Sequence, residues 1–210
     1  MEWQGADPPA RWKGSEAEFL LDAERHATVN EVASALAAMR LALARRGEDD
    51  LVRQACLRLE GFGKVQRLLM VEQPPFVSPG PVLAELLDAM GKGHPGAGPI
   101  DVHLRVTTGP LPGPLVDLLL KVAHEFMTNA LKCVTDGKAE FEVKLVGAGD
   151  GVVLSLSNPV SSSRRGPSSG LGKKIVERLA RRHMGLASYR IRDGSHHAHL
   201  FVPLRPEAAR

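Results

Sequence analysis

The sequence predicts an α+β protein in two parts: a two-helix hairpin over residues 12–73, then an α/β sandwich with a mixed sheet over residues 76–205. Three observations point there. A heptad-spaced apolar seam opens the chain. Gln73-Pro74-Pro75 breaks the helical pattern. Beyond that break, short runs alternating between polar and apolar residues are interleaved with longer stretches of helical period.

The first helix opens on Ser15 and Glu18, spaced as a capping box. From there no Gly or Pro occurs until Gly47, and Val29, Val32, Leu36, Met39 and Leu43 step by threes and fours along one face. Gly47-Glu48-Asp49-Asp50 is an acidic turn into a second helix with Leu51, Ala55, Leu59, Phe62, Val65 and Leu69 as its apolar positions, interrupted by Gly61 and Gly63. A lone hairpin cannot bury both faces of such a seam, so a second copy and a dimeric four-helix bundle are expected.

In the second part a short helix is expected at 82–90 and a strand at 101–107, where Val102, Leu104 and Val106 alternate with polar residues. A helix at 115–134, strands at 141–146 and 152–157, a polar loop at 161–169 and a helix at 170–183 follow. The chain closes with a hairpin, 187–192 and 197–204, turned at Asp193-Gly194. No internal repeat is present. This order places the helices on one face of a mixed sheet.

Composition narrows the functional classes. The chain has 210 residues, 43% of them hydrophobic, which suffices for one full domain and a smaller one, and no further domain is expected. Lys and Arg total 27 against 24 for Asp and Glu, and aromatics make up 4%; neither a dense basic face nor a stacking platform for nucleic acid is expected. Cys56 and Cys133 are too few for a disulfide framework and read as small core residues of a cytoplasmic protein. No apolar stretch approaches the roughly 20 residues of a membrane span, and Met1 to Pro9 show no leader pattern.

Two segments have the residue types for phosphate chemistry. Glu125, Asn129 and Lys132 share one helical stripe; a carboxylate and an amide oxygen one turn apart suit a hydrated magnesium ion, and the lysine suits phosphate oxygens. Gly170-Leu171-Gly172 opens an apolar-periodic helix, where small residues let backbone amides approach an anion. Together these resemble the histidine-kinase-type ATPase domain: Glu125-x-x-x-Asn129-Ala130-Leu131-Lys132 is similar to its N-box, and Gly170-Leu171-Gly172 with Ile175-Val176-Glu177-Arg178-Leu179-Ala180 to its second glycine box and helix. The resemblance covers residues 100–204 and implies ATP with magnesium, the ion held by Asn129 and Glu125, and a lid over 161–169 containing Arg164 and Arg165.

In that family a dimerising hairpin with a phosphoacceptor histidine precedes the ATPase domain. Glu24-Arg25-His26-Ala27-Thr28-Val29-Asn30 is similar to its acceptor box, with His26 and Asn30 matching and Ala27 departing. The resemblance implies autophosphorylation of His26 from ATP and transfer to an aspartate on a response-regulator receiver domain, with Arg25 stabilising the phosphohistidine and Asn30 orienting a water or phosphoryl group. The first glycine box departs from the family: Asn158-Pro159-Val160 stands where an aspartate and two glycines belong, and the Phe-rich box is absent. An Asn carbonyl still accepts from the adenine amino group, without charge assistance. The alternative is a histidine phosphotransferase on a degenerate scaffold, moving phosphoryl groups between receivers without ATP; a serine-kinase or anti-sigma use of the ATPase domain leaves His26 and the hairpin without a role. His196, His197 and His199 read as a solvent-facing strand cluster, His183 as a helix-end residue meeting the dipole, and Lys173, Lys174, Arg178, Arg181 and Arg182 as a solvated helix face.

Overall fold

The computed structural model describes residues 28, 31–32, 34–35, 37–41, 49–92, 100–132, 139–159 and 170–204. Those between 28 and 41 are helical. They meet helix α1 (Asp49–Met70) where Arg58 Nε lies 3.7 Å from Glu31 Oε1, and Ala35 and Ala55 are buried. α1 runs unbroken through Gly61 and Gly63. Each glycine costs a helix interior about 1 kcal/mol relative to alanine. Tertiary packing offsets that here: Val65 is buried in the same core as the sheet, Leu68 and Leu69 pack against it, and Lys64 Nζ lies 3.3 Å from Glu85 Oε1. Cys56, expected in the core, is instead an exposed free thiol. Successive helical positions turn by about 100°, so burying Ala55 points its neighbour outward. Cys133 lies outside the described residues.

The linker is built into the fold. Strand β1 (Phe76–Val77) leads into helix α2 (Pro79–Lys92), which contains the residue of its ion pair with α1, Glu85. α2 starts earlier than expected because the first helical turn needs no N–H donors, so Pro79 and Pro81 are tolerated there. After β2 (Ile100–Val106), strand β3 (Leu111–Pro112) pairs antiparallel with β1, Phe76 opposite Pro112 and Val77 opposite Leu111. Neither short strand is legible in the sequence.

Helix α3 (Gly113–Leu131) begins under the linker. Gly113 N–H donates to Pro75 O at 2.9 Å, and a Cβ on Gly113 would stand 2.2 Å from Pro74 O and 2.8 Å from Gln73 O. The obstructing atoms are backbone carbonyls and cannot swing aside. Gly113→Ala is therefore expected to destabilise the protein by about 1–3 kcal/mol, the usual cost of overpacking, seen as a lower urea midpoint. An unchanged midpoint would mean that the linker does not cross α3 this closely. One turn on, Asp117 accepts from the Gln73 backbone N–H; burial raises its pKa, with Lys121 and that hydrogen bond opposing the rise and Glu72 adding to it.

The remaining elements are β4 (Ala139–Ala148), β5 (Gly151–Pro159), α4 (Leu171–Arg182), β6 (Leu186–Arg192) and β7 (Ser195–Pro203). The five-stranded sheet has the order β2-β4-β5-β7-β6, with β2 and β4 parallel and the other neighbours antiparallel. Phe141, Val143 and Leu145 on β4, Leu154 and Leu156 on β5, and Ala198 and Leu200 on β7 face the helices and pack with Leu119, Phe126 and Met127 of α3 and Val176 of α4. The opposite face presents Glu142, Lys144, Ser155 and His199, so the sandwich has two layers and one open sheet face. The β6–β7 turn falls at Asp193-Gly194 with φ of 50° and 72°, the left-handed pair that a two-residue hairpin of this kind needs. Among the described residues no helix is long and apolar enough to cross a membrane.

Candidate functional site

Helices α3 and α4 cross where the two phosphate-type motifs meet. A Cβ built on Gly172 would lie 2.6 Å from Glu125 Oε2, 3.2 Å from Asn129 Nδ2 and 3.6 Å from Asn129 Oδ1. A carboxylate and an amide from one helix thus converge on the first turn of the other, and only a residue without a side chain lets them approach so far. Gly170, the N-cap of α4, has φ 68° and open space around it. The left-handed conformation is the reason for glycine there.

The electrostatics of that turn favour an anion. The first amides of a helix have no intrahelical acceptor, and the dipole adds positive potential. α4 has no acidic residue in its first turn and no side-chain cap, so the negative group facing it is Glu125, delivered from α3. His124 Nδ1 lies 3.7 Å from the other carboxylate oxygen, Glu125 Oε1. Glu125 and Asn129 Oδ1 converge on one point and are oxygen donors, which fits a magnesium ion that keeps several waters of its own. Among the described residues no group of three or more His, Cys, Asp and Glu side chains is arranged to hold a metal.

Three side-chain atoms around this crossing are out of solvent and have no hydrogen-bond partner: Asn129 Nδ2, Asn158 Oδ1 and the Tyr189 hydroxyl. Each such atom costs about 1–3 kcal/mol. Asn158, 3% exposed, sits near the end of β5 on the helix-covered face; its Nδ2 donates to Pro159 O at 3.0 Å, which leaves Oδ1 as the free acceptor. His196 is its partner across the ladder on β7.

Lys132, at the C-cap of α3, is exposed. Arg25, His26 and Asn30 lie outside the described residues, as does the expected lid at 161–169. His196 corrects the expectation of a solvent-facing histidine: it is half-buried on the helix-covered face, 6.3 Å from the Tyr189 ring. Burial, then Lys173 and His197, lower its pKa, so it is neutral at pH 7. His197 and His199 are on the open face, stacked at 6.3 Å. The alternation of β7 separates them from His196. Lys173 is exposed, as expected of a solvated helix face, and its Nζ stands 5.0 Å from the Tyr189 ring centroid.

Tyr189 was not foreseen as a site residue. Its ring meets Phe126 edge-on at 5.8 Å. Burial, then Glu177 and Glu125, push its pKa well above the ordinary 10.0. Above pH 10 the unfolded chain releases this proton while the folded chain keeps it, so the folded state binds more protons and stability falls as pH rises. Tyr189 is the one tyrosine in the chain. Urea midpoints at pH 9 and pH 11 are expected to fall more in the wild type than in Tyr189→Phe; equal falls would mean that the hydroxyl titrates normally.

Solved structures share this fold. The histidine kinase domain of the blue-light-activated kinase of Erythrobacter litoralis matches with a TM-score of 0.53 and 15% identity, over 72% of this chain and 75% of that one. A bacterial phosphotransferase matches with a TM-score of 0.60 and 11% identity, over 90% and 98% respectively. A histidine kinase from Burkholderia phymatum matches with a TM-score of 0.51 and 12% identity, over 85% and 98%. No protein-family model matches the chain, and no curated protein matches it. The described sandwich has the histidine-kinase-type fold.

Proposed function

We propose that this chain is a two-component signalling protein that phosphorylates itself on His26 from ATP and passes the phosphoryl group to an aspartate of a response-regulator receiver domain. One observation carries the reading. Glu125 and Asn129 from one motif meet Gly172 from the other at a single anion-favouring helix end, beside unpaired buried polar atoms. Asn158 Oδ1 supplies an acceptor for the adenine amino group, and the first turn of α4 with Asn129 Nδ2 supplies donors for phosphate oxygens. Lys132, at the end of α3, adds a cation. Magnesium, held by Glu125 and Asn129, would offset charge on the phosphoryl oxygens.

A ring nitrogen of neutral His26 attacks the γ-phosphorus, the bond from phosphorus to the β,γ-bridging oxygen breaks, ADP departs, and the imidazole releases its proton. A receiver carboxylate then attacks the same phosphorus, the P–N bond breaks, and the departing imidazole takes up a proton from solvent to return to its neutral form. Histidine suits both steps because its ordinary pKa leaves much of it unprotonated near neutrality. In this reading Arg25 stabilises the phosphohistidine and Asn30 orients a water or the phosphoryl group.

The hairpin, residues 12–73, is the dimerising unit, and the sandwich, residues 76–205, the nucleotide unit. Val52, Leu57 and Leu59 of α1 are 45%, 44% and 38% exposed, as are Val32 and Leu41 at 45% and 47%. That exposure supports a second copy covering them in a four-helix bundle, and so a homodimer. Two cysteines without a framework support a cytoplasmic setting.

Asn158 favours a second reading. Where the family has an aspartate, a neutral amide partly occupied by Pro159 O offers a weaker hold on adenine, as a phosphotransferase that receives its phosphoryl group from a receiver domain would tolerate. Incubation with magnesium and γ-labelled ATP decides between the two. Acid-labile, alkali-stable label on the protein supports the kinase. Label that arrives only from a phosphorylated receiver supports the shuttle, and absence of both sinks each.

A further inference from the structure

We propose that Tyr189 is a third polar arm of the site, its hydroxyl donating a hydrogen bond to a phosphate oxygen of the bound nucleotide. This rests on the nucleotide-binding reading above. The first argument is placement. The Tyr189 ring touches the residue that follows each half of the helix crossing: Phe126, next to Glu125, edge-on at 5.8 Å, and Lys173, next to Gly172, with its ammonium 5.0 Å from the ring centroid. Two contacts from two helices hold the ring beside the point where Glu125 and Gly172 meet.

The second argument is the hydroxyl itself. It is buried and unpaired, and so is Asn129 Nδ2. A phenylalanine would fill the same space without an orphaned donor, and buried polar groups ordinarily find partners. A phenol hydroxyl is protonated near neutral pH, so it stays a donor. The third argument is the chemistry around it. The Lys173 ammonium, Asn129 Nδ2 and the first-turn amides of α4 are donors, set against the carboxylates of Glu177 and of Glu125, the latter proposed to hold magnesium. The common complement of the donors is an oxyanion such as phosphate.

Tyr189→Phe removes one oxygen atom and keeps the ring and its contacts with Phe126 and Lys173. The test is thermal melting without nucleotide, and calorimetric titration with ATP, ADP and adenosine in magnesium buffer. The variant is expected to melt no lower than the wild type, and up to about 2–4 °C higher once an unpaired group is removed. Its affinity for ATP and ADP is expected to drop about tenfold, the worth of one hydrogen bond to a charged oxygen, with adenosine unaffected. A lower melting temperature without nucleotide overturns the proposal, because the hydroxyl would then already be paired. Unchanged ATP affinity, or an equal loss for adenosine, also overturns it while leaving nucleotide binding intact. A wild-type protein that binds none of the three overturns the nucleotide reading itself and the phosphate assignment with it; the melting comparison then still shows whether the hydroxyl is unpaired.

Discussion

His26→Ala is expected to abolish the acid-labile label from γ-labelled ATP while leaving ATP affinity and melting temperature unchanged. The expectation separates nucleophile from binding site. His26 belongs to the proposed hairpin, whereas the ATP-binding groups proposed above come from α3, β5 and α4. The described histidines all belong to the sandwich. His103 is on β2 and His124 on α3, His183 caps α4, and His196, His197 and His199 are on β7. Residual label in the variant would move the acceptor to one of these or to His94, which lies outside the described residues. Loss of ATP affinity together with the label would mean that His26 acts on the nucleotide site. Phosphotransfer to a receiver domain should disappear in parallel, since each acceptor step uses the same P–N bond.

Gly172→Ala is expected to give the reverse pattern: ATP affinity falls tenfold or more, and the melting temperature changes by less than about 4 °C, the equivalent of about 1 kcal/mol for a chain of this size. The atoms that a new Cβ would meet are the Glu125 carboxylate and the Asn129 amide, at 2.6 and 3.2 Å. Both are ends of flexible side chains and can rotate away, so the fold yields cheaply. They are also the groups proposed to hold the metal and phosphate, so their displacement is felt in binding. Gly113 is the contrasting case. Its neighbours are the carbonyls of Pro74 and Gln73, and there the cost appears in stability. Equal ATP affinity in Gly172→Ala and wild type would mean that Glu125 and Asn129 do not contact the ligand.

Local pattern was enough for much of the fold. Alternation in Val102, Leu104 and Val106, and Asp193-Gly194 between two such runs, correspond to β2 and the β6–β7 turn because strand period and turn geometry are properties of neighbouring residues. The glycines at 170 and 172 and the Glu125–Asn129 stripe were legible for the same reason. Each motif's residues lie within one or two helical turns.

What the local pattern could not reach depends on residues distant in sequence. Gly61 and Gly63 looked like breaks in α1; packing of Val65, Leu68 and Leu69 on the sandwich overrides that weak local preference. β1 and β3 are two residues each, and only the return of the chain past the linker pairs them. Tyr189 and His196 read as ordinary positions of an edge hairpin. The strand register sets them side by side on the covered face, and Phe126 and Lys173 reach them from two different helices. By itself, then, the sequence determined the α+β class, most of the sandwich elements and the residue types of the proposed phosphate site. The tertiary structure alone decided that Glu125, Asn129 and Gly172 converge, that Asn158 keeps a free acceptor and that Tyr189 joins them. Convergence is a matter of through-space distance, and no period along the chain encodes it.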